Sequence, residues 1–140
     1  MKKEHCLKII YMADDDEDDR MLFSDAMQEL ELAVELKQAP DGLRLLDMLA
    51  EGVKRLPEIV FLDINMPGRS GLECLKEIKN AEGALGSVKV VMLSTSGTPE
   101  NIEMSYGLGA DLYAVKPSSF QGLKELLYDV LTREWDKKVK

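Results

Sequence analysis

The sequence predicts an α/β fold in which five parallel strands form a doubly wound sheet with helices on both faces. Two observations carry this prediction. Strand-like and helix-like segments alternate five times along the 140 residues, which is the order that builds parallel sheets. The run at residues 60–62 is apolar at every position, as expected of a strand that is buried on both sides at the centre of such a sheet.

Length, composition and charge narrow the class of protein. A chain of 140 residues is the size of one domain, which we expect to span residues 1–140 with its core at about 7–133. The net charge of −8 argues against a nucleic-acid surface, and no stretch reaches the roughly 20 apolar residues of a membrane span. Cys6 and Cys74 form neither a CxxC motif nor a zinc-site spacing, so we predict reduced thiols in a cytoplasmic protein.

The N-terminal half is predicted to contain strands at 7–13 and 34–37 and helices at 18–31 and from 41 to about 53. The first strand is an apolar run that ends at a series of acids. The alternation of apolar and charged residues at 34–37 is typical of a half-exposed edge strand. Both helices have apolar residues at helical spacing, which we expect to face the sheet: Leu22, Phe23, Ala26, Met27 and Leu30 in the first, and Leu45, Leu46, Leu49 and Val53 in the second.

The C-terminal half is predicted to contain strands at 59–63, 89–94 and 111–115, with helices at 70–80, 99–108 and 120–133. Pro57 breaks the chain before the central strand, and Pro99 suits the first turn of a helix. Gly83 and Gly86 indicate a loop over 81–87. The last helix has one apolar face, made of Phe120, Leu123, Leu127 and Val130.

Polar and charged residues follow four of the five predicted strands. Asp14 and Asp15 come after the first strand. Asp63 ends the third strand, Ser94 ends the fourth and Lys116 follows the fifth. Because the carboxyl ends of parallel strands meet at one edge of the sheet, we expect these side chains to share a pocket.

This combination of side chains predicts phosphoryl chemistry. Three clustered carboxylates need a cation, and their oxygens suit Mg²⁺. A carboxylate beside Mg²⁺ can act as a nucleophile towards phosphorus. Lys116 and Ser94 would then contact the remaining phosphoryl oxygens.

Each of these residues also has an ordinary structural interpretation. Capping and the helix dipole favour acids at a helix N-terminus, which explains the acids at 16–19 but not Asp14 and Asp15. Asp63 alone could cap the following loop, and Ser94 alone could be a plain strand-end hydroxyl. All five side chains at strand ends together favour a phosphoacceptor site.

These motifs resemble the receiver domains of two-component response regulators, and the resemblance extends from about residue 8 to residue 131. It includes the acid pair Asp14-Asp15, the sequence LDINMPG at 62–68, the sequence SGLE at 70–73, Ser94, and Lys116-Pro117. The resemblance implies a CheY-like, flavodoxin-like sheet with strand order 2-1-3-4-5. Arg20 and the acid-rich opening resemble a stand-alone subgroup that is paired with phytochrome-like kinases.

The resemblance implies a role for each pocket residue. Asp63 would accept a phosphoryl group from the phosphohistidine of a sensor histidine kinase or of a histidine phosphotransfer protein. Mg²⁺ (or Mn²⁺) would be held by Asp15 and Asp63, by the backbone carbonyl of Asn65, and by Asp14 through water. A cis bond between Lys116 and Pro117 would place the lysine side chain in the pocket.

The resemblance also implies a switch. Ser94 would move towards the phosphoryl group and Tyr113 would turn inward behind it. This shift would remodel the face made by the fourth helix, the fifth strand and the fifth helix, where a downstream protein docks. The protein would phosphorylate and slowly dephosphorylate itself but turn over no external substrate, so we do not expect an enzyme.

The resemblance is closest to stand-alone receivers, because the chain ends soon after Lys116 and no output domain is expected. We expect a monomer or a weak homodimer, with Tyr106, Tyr128 and Trp135 as candidates for an exposed dimer surface. One departure from the family pattern is the sequence SSF at 118–120, which replaces an aromatic residue directly after Lys116-Pro117.

Three other functions are consistent with parts of the pattern. An EF-hand loop that starts at Asp14 would need glycine where Asp19 stands and glutamate where Asp25 stands, so we reject it. A haloacid-dehalogenase-like phosphatase would need a second aspartate in place of Asn65. A phosphorylation-independent pseudo-receiver that only binds proteins would not need the complete set of side chains.

Overall fold

The computed structural model describes residues 8–52, 55–66, 69–133 and 135, which form a parallel sheet with helices on both faces. The elements in chain order are β1 (Lys8–Ala13), α1 (Glu17–Glu29), β2 (Val34–Ala39), α2 (Gly42–Glu51), β3 (Ile59–Asp63), α3 (Gly71–Asn80), a 3₁₀ helix (Gly83–Ser87), β4 (Lys89–Ser94), α4 (Pro99–Gly107), β5 (Leu112–Val115) and α5 (Phe120–Thr132). Within these residues the strands pair in parallel in the order β2-β1-β3-β4-β5. The predicted fold class and strand order are confirmed.

The central strand β3 is buried along its whole length. Val60 and Leu62 belong to the core cluster that is completed by α2 and α3. Ile59 and Phe61 belong to the second cluster, under α1 and α5. The ring of Phe61 meets that of Phe23 edge-to-face with centroids 5.0 Å apart. Packing on both faces therefore fixes the position of β3 and of the residue at its carboxyl end.

The predicted boundaries agree with the structure to within one or two residues, and one predicted loop contains a short helix. β2 continues to Ala39 because its last residues pair with Met12 and Ala13 of β1. The predicted loop at 81–87 contains the 3₁₀ helix, in which Val88 donates its backbone N–H to the carbonyl of Leu85. Leu7 and Val53 lie outside the described residues.

Two residues of the predicted apolar faces lie at the surface. Leu22 of α1 is 48% exposed and Phe120 of α5 is 36% exposed. Each lies in the part of its helix nearest the carboxyl edge of the sheet, where a small cavity separates α1 from α5. Helical spacing predicts the direction of a side chain but not whether the neighbouring helix is close enough to cover it.

The aromatic residues near the C-terminus and the described cysteine have the following environments. Tyr106 and Tyr128 are exposed, as predicted, whereas Trp135 packs partly against the cluster under α1 and α5. Cys74 is a free, buried thiol, while Cys6 lies outside the described residues. Within the described ranges, none of the helices combines the length and apolar character needed to cross a bilayer.

The hydroxyl of Ser105 in α4 is fully buried and has no hydrogen-bond partner, the only such side-chain atom among the described residues. A buried, unpaired hydroxyl costs about 1–3 kcal/mol. We therefore predict that Ser105→Ala raises the free energy of unfolding by about 1 kcal/mol. Denaturant unfolding measures the change. Ser24→Ala, at a half-buried position of α1, is the control for helix propensity, and an equal effect of the two substitutions would contradict the prediction.

Candidate functional site

The three predicted acids lie together at the carboxyl edge of the sheet. One carboxylate oxygen from each of Asp14, Asp15 and Asp63 lies within 4.8 Å of the others. Asp14 and Asp63 are buried, at 1% and 7% exposure, while Asp15 is open to solvent. Parallel pairing of β1 with β3 produces this cluster, because it aligns the carboxyl ends of the two strands.

Lys116 provides the positive charge at this cluster. Its Nζ donates hydrogen bonds to Asp14 Oδ2 at 2.9 Å and to Asp19 Oδ2 at 3.0 Å. The same Nζ lies 3.5 Å from Asp63 Oδ2, within ion-pair distance. The backbone N–H of Lys116 donates to the carbonyl of Ser94 at 2.7 Å, which holds the end of β5 beside the end of β4.

The peptide bond between Lys116 and Pro117 is trans, so the predicted cis bond is corrected. The free-energy difference between the isomers of an X-Pro bond is only about 0.5–1 kcal/mol, so the sequence alone does not determine which is present. In this chain the lysine reaches the acid cluster with the trans isomer.

The chain turns tightly after Asp63, and this turn requires glycine at position 71. A Cβ atom on Gly71 would lie 2.2 Å from the carbonyl oxygen of Asp63 and 2.9 Å from the Cα of Ile64. The backbone N–H of Gly71 donates to the carbonyl of Ile64 at 2.9 Å. A capping box between Ser70 and Glu73 then starts α3. The beginning of α3 is thus packed directly on the strand end that carries Asp63.

The surroundings of Asp63 make its carboxylate less acidic than usual. Burial is the main cause, and the charges of Asp14 and Asp15 act in the same direction. The charge of Lys116 and a backbone hydrogen bond from Asn65 act in the opposite direction. Together these effects raise the pKa of Asp63 from an ordinary 3.8 to about 6.

The surroundings of Lys116 keep it protonated. Burial by itself lowers the pKa of the ammonium, but the hydrogen bonds to Asp14 and Asp19 and the charge of Asp63 outweigh burial and leave the pKa raised. Lys116 is therefore a fixed positive charge at neutral pH.

The remaining predicted residues lie at or near the same edge. Ser94 ends β4 and is fully buried, and its Oγ accepts a hydrogen bond from the backbone N–H of Ser96 at 3.1 Å. Tyr113 of β5 packs against the core cluster under α2 and α3, and its hydroxyl donates to the carbonyl of Ser96 at 2.6 Å. Asn65 is exposed just beyond Asp63. The roles predicted for these residues stay predictions.

Asp19 was not among the predicted site residues, although it contacts Lys116 directly. In the sequence, Asp19 fits the acids at 16–19 that favour the start of a helix. A signal was nevertheless present in the spacing: Asp19 precedes Phe23 by four residues and Ala26 by seven, so all three share one face of α1. Since Phe23 and Ala26 are buried against the sheet, that face directs Asp19 towards the sheet edge.

The arrangement has the chemistry of a site for a hard divalent cation. Three carboxylates contribute oxygens within 4.8 Å of one another, and one of them is open to solvent. Mg²⁺ prefers a few carboxylate ligands and keeps several of its waters, so a half-open acid cluster fits it. A buried carboxylate next to a fixed ammonium can also serve as a nucleophile whose product charge is stabilised.

Comparisons with known proteins agree with this geometry. A family model described as "Response regulator receiver domain" matches residues 10–128. The chemotaxis protein CheY of Halobacterium salinarum is 31% identical over 126 residues, which cover 89% of this chain and 98% of that protein.

Solved structures are similar over almost the whole chain. The phosphorylated cyanobacterial phytochrome response regulator RcpA superposes with a TM-score of 0.82 at 26% identity, covering 96% of this chain and 98% of that one. The Mn²⁺-bound form of response regulator Rcp1 superposes with a TM-score of 0.79 at 26% identity, and the match covers 94% of this chain and 97% of that one.

The raised pKa of Asp63 predicts that Asp63→Asn stabilises the folded protein in metal-free buffer, by an amount that depends on pH. Between about pH 4 and pH 6 the folded protein keeps a proton on Asp63 that the unfolded chain has released, so wild-type stability falls as the pH rises through this window. The asparagine variant has no carboxyl group at this position, so its stability does not fall in this way. We expect it to be more stable by about 1–3 kcal/mol above pH 6 and by almost nothing below pH 4.

Denaturant unfolding in the presence of a chelator at several pH values measures this difference. Asp18→Asn, at an exposed acid of α1, is the matched control. A constant difference between Asp63→Asn and wild type across the pH range would contradict the prediction.

Proposed function

This chain belongs to the response regulator receiver domain family, and we propose that it is a phosphoryl-accepting switch of a two-component phosphorelay with Asp63 as the phosphoacceptor. One observation carries the proposal. Lys116 Nζ lies 3.5 Å from Asp63 Oδ2 at the edge of a cluster of three carboxylates, so a nucleophile, a cation site and a fixed ammonium share one pocket.

Asp63 performs the transfer as a nucleophile. One of its carboxylate oxygens forms a bond to phosphorus while the bond from phosphorus to the donor imidazole nitrogen breaks, and the electron pair returns to that nitrogen. With a pKa of about 6, Asp63 is mainly ionised at neutral pH and ready to attack. The product is an aspartyl phosphate, whose hydrolysis by water would return the protein to its starting state.

The residues around Asp63 bind and orient the phosphoryl group. Asp14, Asp15 and Asp63, with the backbone carbonyl of Asn65, would hold Mg²⁺ or Mn²⁺, which neutralises charge on the phosphoryl oxygens. The ammonium of Lys116 stabilises a second phosphoryl oxygen. The hydroxyl of Ser94, at the end of the neighbouring strand, would stabilise a third.

The signal would leave the pocket through Ser94 and Tyr113. Ser96 connects them, since its N–H donates to Ser94 Oγ and its carbonyl accepts from the Tyr113 hydroxyl. Movement of Ser94 towards a phosphoryl group would break its hydrogen bond with the Ser96 N–H. Ser96 could then shift and free the hydroxyl of Tyr113. Val115 and Met104 are about half exposed on the face of α4, β5 and α5, where we propose that a downstream protein docks.

The phosphoryl donor is a sensor histidine kinase or a histidine phosphotransfer protein. The likeness to the phytochrome response regulator RcpA, together with Arg20 and the acid-rich opening, supports a phytochrome-like kinase as the first donor to test. We propose that the protein acts as a monomer or a weak homodimer.

Phosphorylation at Asp63 is testable by intact-mass analysis. Incubation with acetyl phosphate and Mg²⁺ should give a single phosphoryl adduct on the wild type and none on Asp63→Asn, because the amide is not a nucleophile towards phosphorus. An adduct that persists in Asp63→Asn would refute the site.

Sustained hydrolysis of p-nitrophenyl phosphate by the wild type would favour the phosphatase alternative. That mechanism is disfavoured by Asn65, whose amide lies two residues beyond Asp63 where a second acid would be needed.

Cation binding is testable by thermal unfolding with increasing Mg²⁺. A ligand that binds only the folded state raises the melting temperature, and a concentration 100-fold above Kd adds about 2.7 kcal/mol. We expect this rise in the wild type and its loss in Asp15→Asn. Asp18→Asn removes the same charge from an exposed position outside the cluster and should retain the rise. An equal response of the two variants would show a nonspecific ion effect.

A further inference from the structure

We propose that Asp19 is a positioning residue for the phosphoryl transfer, which holds the Lys116 ammonium so that one of its N–H groups stays directed at Asp63. This inference rests on the proposed function and adds a residue to that site. The observation behind it is the hydrogen bond from Lys116 Nζ to Asp19 Oδ2 at 3.0 Å, which joins residues 97 positions apart in the chain.

An acid at this position of α1 would normally serve its own helix. Asp16 is the N-cap, and its Oδ1 accepts from the backbone N–H groups of Asp18 and Asp19. Asp19 is the third helical residue, the position from which a side chain can return to the N-cap backbone N–H in a capping box. Here that N–H donates to Asp14 Oδ1 at 3.0 Å instead. The carboxylate of Asp19 is therefore not required for capping.

The geometry around the ammonium shows what Asp19 contributes. An ammonium has three N–H donors. Asp14 and Asp19 accept at 2.9 and 3.0 Å, while Asp63 lies beyond them at 3.5 Å. With two donors bound to Asp14 and Asp19, the third is available for Asp63 and for a phosphoryl oxygen bound there. Asp19 thus orients the lysine without occupying the donor that the reaction needs.

Asp14 alone would be a poor anchor for the lysine. Asp14 belongs to the carboxylate cluster, so its oxygens would also be needed to hold a divalent cation. Asp19 lies outside that cluster, and its side chain is 37% exposed. Lysine side chains lose considerable rotamer freedom when fixed, so a second anchor lowers the entropic cost of placing the ammonium during the transfer.

The test compares Asp19→Asn with Asp18→Asn in the full-length protein. Both substitutions remove one negative charge from the first turn of α1, and both should therefore ease the approach of an anionic donor equally. Of these two acids, only Asp19 contacts Lys116. We expect the rate constant for phosphorylation by acetyl phosphate with Mg²⁺ to be about threefold to fivefold lower in Asp19→Asn than in Asp18→Asn, as for loss of a partly exposed ion pair.

A double-mutant cycle distinguishes positioning of Lys116 by Asp19 from a merely structural role of Asp19. In a Lys116→Gln background, Asp19→Asn and Asp18→Asn should give equal rate constants, because there is no ammonium to position. A threefold or larger difference that persists in this background would overturn the proposal. Equal rate constants for the two variants in the wild-type background would also overturn it.

A second measurement decides the question without any phosphoryl donor. In metal-free protein with ¹⁵N-labelled lysine, the Lys116 ammonium should give a slowly exchanging NMR signal that is retained in Asp18→Asn and lost or shifted in Asp19→Asn. An unchanged signal in Asp19→Asn would refute the anchor. If the wild type forms no adduct at Asp63 while this signal behaves as expected, the proposed function fails and the contact between Asp19 and Lys116 stands.

Discussion

The ammonium of Lys116 lies among carboxylates that the sheet forces together, and the rest of the site depends on this cluster of charges. Two carboxylates about 5 Å apart repel by roughly 3 kcal/mol at an effective dielectric constant near 20. Asp14 and Asp63 are both buried and have little water to reduce that repulsion. Lys116 offsets part of it, with hydrogen bonds to Asp14 and Asp19 and an ion pair to Asp63. The pKa of Asp63 is nevertheless raised, because burial of its carboxylate outweighs the opposing charge of Lys116 and the charges of Asp14 and Asp15 add to the rise.

The fold imposes this crowding because β3 cannot move. The alternating side chains of β3 pack into both core clusters, so a shift of Asp63 away from Asp14 would disrupt packing on two faces at once. Gly71 adds a second restraint, because the start of α3 lies directly against the carbonyl of Asp63. The free energy of core packing thus holds the like charges in place, an arrangement typical of functional sites.

Much of the fold and of the site could be predicted from the sequence because both follow from strand ends. The apolar run at 59–62 and the strand at 89–94 identify buried strands, and parallel topology then places Asp63, Ser94 and Lys116 at one edge. The exposure of Leu22 and Phe120 could not be predicted in the same way. Whether such residues are covered depends on the separation of α1 and α5, which no local pattern encodes.

Asp19 illustrates a different limit, since its chemistry was visible in the sequence but its partner was not. The four acids at 16–19 fit the start of a helix, and Asp16 does serve as the N-cap. An acid that satisfies a local rule gives no sign that it also binds a side chain from the far end of the chain. The spacing of Asp19 from Phe23 and Ala26 is the local clue, and it becomes informative once both of these residues are known to be buried.

The balance of charge around Asp63 connects stability to function. Four carboxylates lie in this pocket, and the ammonium of Lys116 pairs with those of Asp14, Asp19 and Asp63, while Asp15 belongs to the acid cluster without contacting it. A pocket neutralised by more lysines would be more stable without metal, but it would compete with a divalent cation for the same oxygens. A pocket with no lysine would have no fixed donor for a transferred phosphoryl group. A single ammonium that is held by Asp14 and Asp19 and lies beside Asp63 meets both requirements in the proposed site.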